Sequence, residues 1–387
     1  MADVPGLVSL APVSGGVIPV LWLCGPSGVG KSSAAFEIFS QISRAGVRAA
    51  FLDLDQIGLC YPVDDEHRVK IDALGAVWPN YRAAGAECLI LSGVVDTAEQ
   101  ARAYAGAMPG AAVTLCRLRV HADELRRRFV GRGWRPELVD RAVAAADALD
   151  RTGFADLCVD TDGLAVPEVA RTVRERIGEW PAAAPSPPPA PPAPRAGAAI
   201  ATPTLWLCGP VGVGKSTIGY EVFRQVIGDG VTAAYVDARQ IGFLRPAGGD
   251  PGGHALKAAN LAALEAVFRS AGAQCLIVSG EAGHPDAYTG LFPASVLTVC
   301  RLDAGPDRLA ERLLLRGRGH GPVIPGDELR GLPEETLLKI AERAAVEGAT
   351  GADGAVRVDT DERSAADAAR AVRAAAGDWP RPRTPSG

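Results

Sequence analysis

Short apolar runs alternate with amphipathic segments along the first half of the chain. The apolar runs predict buried strands, and segments with apolar residues three and four positions apart predict helices. In order, the predicted elements are strand 20–24, helix 31–45, strand 48–53, helix 67–84, strand 87–92, a short helix at 97–107, strand 112–118, helices 121–132 and 136–150, strand 156–160 and helix 166–178. This alternation predicts an α/β fold, in which a parallel sheet is covered by helices on both faces and ligands bind at the carboxyl ends of the strands.

The turn between the first predicted strand and helix is rich in glycine. Residues 25–32 read GPSGVGKS, which fits the phosphate-binding P-loop pattern. In this pattern the backbone N–H groups surround phosphates, the lysine supplies positive charge to the β and γ oxygens, and the serine hydroxyl ligates Mg²⁺. The pattern recurs as GPVGVGKS at 209–216. The chain is therefore predicted to bind a nucleoside triphosphate twice.

The repeat extends far beyond this turn. Segment 51–58 corresponds to 235–242, and 88–93 corresponds to 275–280. About 15 additional residues precede the last strand of the second copy, around 319–333. We interpret the chain as a duplicated domain. The expected organisation is an N-terminal extension (1–17), a first P-loop NTPase domain (18–181), a linker (182–203), a second P-loop NTPase domain (204–381) and a C-terminal tail (382–387).

The predicted linker is rich in proline and alanine. Such a run does not form the interior of a helix or sheet and favours extended polyproline II. It is also a possible ligand for SH3-like or WW domains, but nothing else in the sequence indicates such a partner. Each copy is long enough to form a core of its own, so we expect two domains joined by a spacer, with domain contact possible.

Composition excludes several classes of protein. The net charge of −5 argues against a general nucleic-acid binder. Residues 1–19 lack the basic and apolar pattern of a signal peptide, and no run of about 18 apolar residues indicates a membrane span. We therefore expect a cytoplasmic protein. Six of the eight cysteines occupy equivalent positions in the predicted strands of the two copies and are expected to be buried; no C-x-x-C pair indicates zinc or a disulfide framework.

Acidic residues follow the second predicted strand as Asp53-x-Asp55, whereas the strand at 87–92 ends in Ser92-Gly93. Most switch GTPases and motor ATPases place a Walker B carboxylate at the end of the strand next to the P-loop, for which the candidate here is the strand at 87–92. The helix after strand 112–118 carries Arg128 and Arg132, four residues apart on one face. In these features each copy resembles the small-molecule kinases of the shikimate, gluconate and adenylylsulfate kinase type, within the nucleoside-monophosphate-kinase-like group.

The resemblance implies that the γ-phosphoryl group of ATP is transferred to a hydroxyl of a small molecule, with Mg²⁺ and ATP as cofactors. Ser32 and one carboxylate of the acidic pair would anchor the metal, and the other carboxylate would orient or deprotonate the acceptor. The candidate catalytic residues are Lys31, Asp53, Asp55, Arg128 and Arg132. The candidate metal ligands are Ser32, Asp53, Ser216 and Asp237. The candidate nucleotide-binding residues are Gly25, Ser27, Gly28, Val29, Gly30, Lys31, Ser32, Ser33, Gly209, Gly212, Val213, Gly214, Lys215, Ser216 and Thr217.

The helix that follows the acidic pair carries His67 and Lys70, which correspond to His254 and Lys257. In the family this region faces the acceptor, although a surface role is an alternative.

The second copy has Arg239 in place of Asp55. This copy either accepts a different, anionic substrate or binds nucleotide without phosphorylating anything, so the first copy is the predicted catalytic half. Two other readings are open. One is a tandem ATP-binding regulator without a small acceptor. The other is a transporter-type ATPase, suggested by the Leu91-Ser92-Gly93 sequence. This match is poor, because the transporter signature lies at a helix start and precedes a Walker B strand, and the sequence shows neither condition.

Overall fold

The computed structural model of the chain describes residues 16–131, 136–181, 199–248, 250, 252–280, 288, 290–321, 323–349 and 355–380. The strands of the first half are β1 (Ile18–Cys24), β2 (Ala49–Asp53), β3 (Cys60–Tyr61), β4 (Cys88–Ser92), β5 (Ala111–Arg119) and β6 (Leu157–Asp160). Its helices are α1 (Lys31–Arg44), α2 (Leu54–Ile57), α3 (Glu66–Ala83), α4 (Ala98–Gly106), α5 (Ala122–Gly131), α6 (Val139–Asp150) and α7 (Val166–Ile177), with a 3₁₀ turn at Pro136–Leu138 before α6.

Apart from the region that corresponds to α4, the described elements of the second half repeat this order. Its strands are β7 (Thr204–Cys208), β8 (Ala233–Asp237), β9 (Leu244–Arg245), β10 (Cys275–Ser279), β11 (Leu297–Asp303) and β12 (Val356–Asp359). Its helices are α8 (Lys215–Gly228), α9 (His254–Ser270), α10 (Pro306–Gly317), α11 (Glu334–Ala349) and α12 (Ala365–Ala375), and a 3₁₀ turn at Ala238–Ile241 follows β8.

The predicted elements of the first half are confirmed, with ends that differ by a few residues. Strands β1, β2 and β4 are apolar over nearly their whole length because both faces of the sheet are covered by helices. The six cysteines predicted to be buried are buried. Among the described residues, no helix is both long enough and apolar enough to cross a membrane.

The chain forms two six-stranded sheets in the orders β6-β5-β1-β4-β2-β9 and β12-β11-β7-β10-β8-β3. The five strands that each sheet takes from its own half run parallel, as predicted. The sixth strand comes from the other half and is antiparallel. The expectation of a purely parallel sheet within each copy is wrong at this edge.

The strand exchange is reciprocal. Strand β9 pairs with β2, and the N–H of Phe51 donates to the carbonyl of Phe243 at 3.1 Å. Strand β3 pairs with β8, and the N–H of Tyr235 donates to the carbonyl of Leu59 at 2.9 Å. Each half therefore closes the exposed edge of the other half's sheet, which would otherwise present unpaired backbone groups.

The two halves also share a hydrophobic core. Helix α3 packs against α9 across the boundary, and the Asn80 amide donates to the Asn260 carbonyl oxygen at 3.0 Å. One continuous apolar cluster contains Trp78 of the first half and Phe268 of the second. Each half has a further cluster under its P-loop helix. The expectation of two independent cores is wrong, because helices α3 and α9 bury their apolar faces on each other.

The predicted N-terminal extension, linker and tail lie mostly outside the described residues. Residues 199–203, the last part of the predicted linker, are described and pack on the second half. Ile200 is fully buried and its N–H donates to the carbonyl of Leu291 at 2.7 Å. The Thr202 hydroxyl donates to the buried Glu265 carboxylate at 2.6 Å. This part of the segment is therefore not a spacer.

Candidate functional site

The P-loop lies between β1 and α1, at the carboxyl edge of the first sheet. Its turn requires glycine at Gly25, where φ is +135° and a Cβ atom would lie 2.5 Å from the carbonyl oxygen of Leu118. The equivalent Gly209 has φ of +139° and the same conflict with the Leu302 oxygen at 2.3 Å. The chain thus passes close to the neighbouring strand before it turns into the helix, as a phosphate-binding turn requires.

The P-loop lysines lie over their own loops. The Lys31 ammonium donates to the carbonyl of Pro26 at 3.0 Å. The Lys215 ammonium donates to the carbonyls of Gly209 and Pro210 at 2.8 and 2.9 Å. Each ammonium group therefore lies against the backbone of its own P-loop, the segment that the sequence predicts to bind phosphate.

The P-loop serine contacts an acidic side chain from a different strand. The Ser32 hydroxyl donates to Oδ2 of Asp53 at 2.5 Å, and the N–H of Asp55 donates to Oδ1 of Asp53 at 2.9 Å. In the second half the corresponding distances are 2.6 Å from Ser216 to Asp237 and 3.1 Å from the Arg239 N–H. Both candidate metal-binding pairs are thus brought together, although β2 and β8 are not adjacent to the P-loop strands.

These carboxylates lie in an environment that disfavours their charge. Burial, and then the negative charge of Asp55, raise the pKa of Asp53 above its usual range. Burial likewise raises the pKa of Asp237, although the hydrogen bond from Ser216 opposes it. A bound cation would relieve this cost. Among the described residues, no group of three or more His, Cys, Asp or Glu side chains is placed to hold a metal, but Mg²⁺ bound with nucleotide needs only one or two carboxylates besides the phosphates.

Asp55 has a different environment from Asp53. Its half-exposed carboxylate lies 2.6 Å from the ammonium of Lys70. Desolvation opposes its ionisation, but the charges of Lys70 and Lys31 outweigh this and lower the pKa of Asp55. The stem of Lys70 reaches the site by crossing Gly58, where a Cβ atom would lie 2.3 Å from Lys70 Cγ. The residues Lys31, Ser32, Asp53 and Asp55 are called the first site below.

A histidine borders the first site, and two of its partners were missed by the sequence analysis. Nδ1 of His67 lies 3.1 Å from the Tyr104 hydroxyl, and Nε2 lies 3.7 Å from the Asp96 carboxylate. The neighbouring His67 imidazole lowers the pKa of Asp96. The second half repeats the pairing of histidine and tyrosine rings, in His254 and Tyr288, with the same centroid distance of 6.1 Å. That repeat of tyrosine was a usable signal in the sequence.

The arginine predicted to act on phosphate has protein partners. The Arg128 guanidinium donates to the carbonyl of Val29 in the P-loop at 3.0 Å, to the carbonyl of Thr161 at 2.6 Å and to Glu124 at 2.7 Å. Arg312 makes the equivalent bonds with Val213 and Thr360. Each arginine therefore links the P-loop to the threonine that directly follows the edge strand of the sheet, β6 or β12. A direct role on phosphate stays a prediction, and Arg132 lies outside the described residues.

In the second half the P-loop opens into a cleft of about 780 Å³. The residues of this second cleft include Gly212, Lys215, Ser216, Asp237, Arg239, His254, Arg308, Arg312, Arg316, Ile324, Leu329 and Arg363. Arg239 is exposed, so a positive charge stands where the first half has the Asp55 carboxylate. Among the charged residues of the lining, lysine and arginine outnumber the acidic Asp237 and Glu347, which suits a polyanionic ligand.

No protein-family model and no curated protein sequence matches the chain. Among solved structures, the tunicamycin resistance protein of Deinococcus radiodurans is similar, with 20% identity and a TM-score of 0.34 over 42% of this chain and 96% of that chain. A gluconokinase from Sinorhizobium meliloti 1021 has 18% identity and a TM-score of 0.31 over 41% and 90%. Shikimate kinase from Acinetobacter baumannii has 19% identity and a TM-score of 0.30 over 41% and 93%.

These proteins include the shikimate and gluconate kinases that the sequence motifs resemble, as predicted. Each match spans about two fifths of the chain.

Proposed function

We propose that the chain contains two tandem P-loop NTPase domains and is an ATP-dependent phosphotransferase that acts on a hydroxyl of a small molecule. The observation that carries this proposal is the hydrogen bond from Ser32 to Asp53, repeated as Ser216 to Asp237. A P-loop serine held by a buried carboxylate beside the loop lysine is the arrangement that binds a magnesium–triphosphate pair.

The two carboxylates of the first site are suited to different tasks. Both oxygens of Asp53 already accept hydrogen bonds, and its burial favours a nearby cation, so we assign Asp53 with Ser32 to Mg²⁺. Asp55 is half exposed, ionised and held by Lys70, so we assign it to the acceptor hydroxyl.

The reaction then follows from this placement. Mg²⁺, when bound, neutralises charge on the β and γ phosphates. The acceptor oxygen forms a bond to the γ phosphorus, the bond from that phosphorus to the bridging oxygen of ADP breaks, and the hydroxyl proton passes to Asp55. Lys31 and the loop N–H groups hold the phosphate oxygens while negative charge moves to ADP. Arg128 keeps the loop in place through the Val29 carbonyl.

The first half is the proposed catalytic half. Arg239 in the second cleft has no proton-accepting capacity and brings the opposite charge to the acceptor position. We propose that the main role of the second half is to bind nucleotide, and not to transfer its γ-phosphoryl group.

A second candidate function is a tandem nucleotide-binding regulator with no small acceptor. The shared core and the exchanged strands favour it, because they join the two P-loop sheets into one unit. In that case hydrolysis would be slow and no acceptor would accelerate it.

The release of ADP tests both candidates. ADP should form from Mg-ATP faster in the presence of one member of a panel of small hydroxylated metabolites, and Lys31→Ala should abolish this acceleration. The product should carry one phosphate ester by mass spectrometry. If no compound accelerates ADP release while ATP binds, the regulator is favoured; if ATP does not bind, both are excluded.

A further inference from the structure

Phe243 belongs to the second half but lies in the core of the first. Its ring is 5.3 Å from that of Phe36 and 5.7 Å from that of Phe51, and the side chain is 6% exposed. Phe36 is on α1, whose first turn holds Ser32, and Phe51 is on β2, which ends at Asp53. Phe243 therefore packs on both elements that carry the metal-binding pair of the first site.

The additional segment at 319–333 holds Phe243 from the other side. A Cβ atom on Gly326 would lie 2.6 Å from Cζ of Phe243, so the segment backbone lies directly on the ring. Gln240 lies three residues before Phe243 in the chain, and its side-chain amide donates to the carbonyl of Pro325 at 3.1 Å. The segment thus fixes the turn that leads from the second cleft to Phe243.

An ion pair links this segment to the second cleft. Nε of Arg316 lies 2.9 Å from the carboxylate of Asp327, the neighbour of Gly326, and Arg330 lies 3.2 Å from the same oxygen. The Asp327 side chain is only 3% exposed, so its buried charge depends on compensation by the two arginines. Arg316 also lines the second cleft with Lys215. The arginine therefore faces two competing anions, Asp327 and any phosphate bound in that cleft.

We propose that a nucleoside triphosphate in the second cleft weakens nucleotide binding at the first site, with Phe243 as the positioning residue that transmits the effect. The inference rests on the proposed binding of nucleotide in both halves. Phosphate oxygens draw Arg316 from Asp327, because both are anionic partners for one guanidinium. The segment then holds Phe243 less firmly, and α1 and β2 lose packing that fixes Ser32 against Asp53. Linkage makes the effect mutual, so filling the first site weakens the second equally.

Titration calorimetry of the full chain with Mg²⁺ and the non-hydrolysable analogue AMPPNP tests this coupling. Lys215→Ala reports the affinity of the first site alone, and Lys31→Ala reports that of the second cleft alone. In the wild type, the second binding step should be at least about 5-fold weaker than the weaker of these two affinities, the lower end of ordinary allosteric coupling.

Two substitutions separate the route from a general loss of structure. Asp327→Asn removes the charge that competes for Arg316 while keeping the shape, and Phe243→Leu reduces the ring contacts; both should bring the two binding steps towards independence. The matched control is Glu334→Gln, which removes the exposed ion pair with Arg318 and should leave the coupling at the wild-type value.

The outcomes are distinct. A wild-type isotherm equal to the sum of the two single-site variants, or a second step that is tighter, overturns the coupling while the proposed phosphotransfer stands. A wild type with one site overturns it as well. Coupling that persists unchanged in both Asp327→Asn and Phe243→Leu rejects the route through Phe243. Absence of any AMPPNP binding overturns both this inference and the proposed function.

Discussion

The hydroxyl of Ser32 donates a 2.5 Å hydrogen bond to the carboxylate of Asp53. The two residues are 21 positions apart. Ser32 is on α1, which follows β1, and β4 lies between β1 and β2 in the sheet. The carboxylate reaches the P-loop because Asp53 is the last residue of β2 and begins the α2 turn, so its side chain projects along the carboxyl edge of the sheet. Strand β4, the neighbour of β1, ends in Ser92 and not in an acidic residue.

If Asp53 positions the metal, the loss of its charge should impair chemistry more than binding. We expect Asp53→Asn to lower the rate of acceptor-dependent ADP formation by about 10²-fold or more, with little change in ATP affinity, as for the loss of one preorganised electrostatic group. The equivalent Asp237→Asn change should have a much smaller effect. An equal or larger loss from Asp237→Asn would reject the first half as the catalytic half.

The same carboxylate should cost stability in the absence of a cation. Burial and the charge of Asp55 raise the pKa of Asp53 in the folded chain. Its ionisation is therefore harder in the folded state than in the unfolded state. The fold loses stability as the pH rises from the unfolded pKa of about 3.9 through the folded pKa. We expect Asp53→Asn to be more stable than the wild type at pH 8 in EDTA, and the difference to shrink at pH 4.5. Urea unfolding at the two pH values measures it.

Asp55 provides the control of opposite sign. Lys70 and Lys31 lower its pKa against the cost of desolvation, so its charge stabilises the fold above the unfolded pKa and this stability is lost as the pH falls through the folded value. Asp55→Asn should therefore be less stable than the wild type at pH 8. Equal shifts in the same direction for both variants would contradict the assigned environments.

Both P-loops retain the lysine and the serine, and both hold them in the same geometry. We expect two Mg-ATP sites per chain by calorimetry. Lys31→Ala and Lys215→Ala should each remove one site, because each removes a charge that faces the β and γ phosphates. A single site in the wild-type chain would show that one loop does not bind nucleotide.

The sequence was sufficient for the elements with strong periodicity and for the P-loops, because a glycine-rich turn between a buried strand and an amphipathic helix has few alternatives. It was insufficient for the exchanged strands. Cys60–Tyr61 and Leu244–Arg245 are two residues long, too short for any period to appear. A signal was present, since both are preceded by an apolar residue after glycine and followed by proline in equivalent positions of the repeat. A repeat does not by itself reveal that a segment crosses to the other copy.

The site was predictable in its residue types but only partly in its contacts. Ser32 and Asp53 are in contact, as the sequence predicts. The partners of His67 were missed because Asp96 and Tyr104 are 29 and 37 positions away and no motif joins them. The protein partners of Arg128 were not anticipated because a helix face indicates only a direction, whereas its partner Thr161 is fixed by the packing of β6 beside β5.

The exchanged strands and the shared core lead to a prediction about the chain as a whole. If the linker were the only connection, cleavage within 182–198 would release two independent domains. In the structure, separation would expose the site that Phe243 fills among Phe36 and Phe51 and would unpair the edges of β2 and β8. We therefore expect a chain cut at a protease site inserted between Ala190 and Pro191 to elute as one species of unchanged size. Residues 1–181 expressed alone should unfold at lower urea concentration than the cut complex, because they lose the apolar surface buried by the second half. Two separate peaks after cleavage, each with the stability of the intact chain, would show that the halves fold independently.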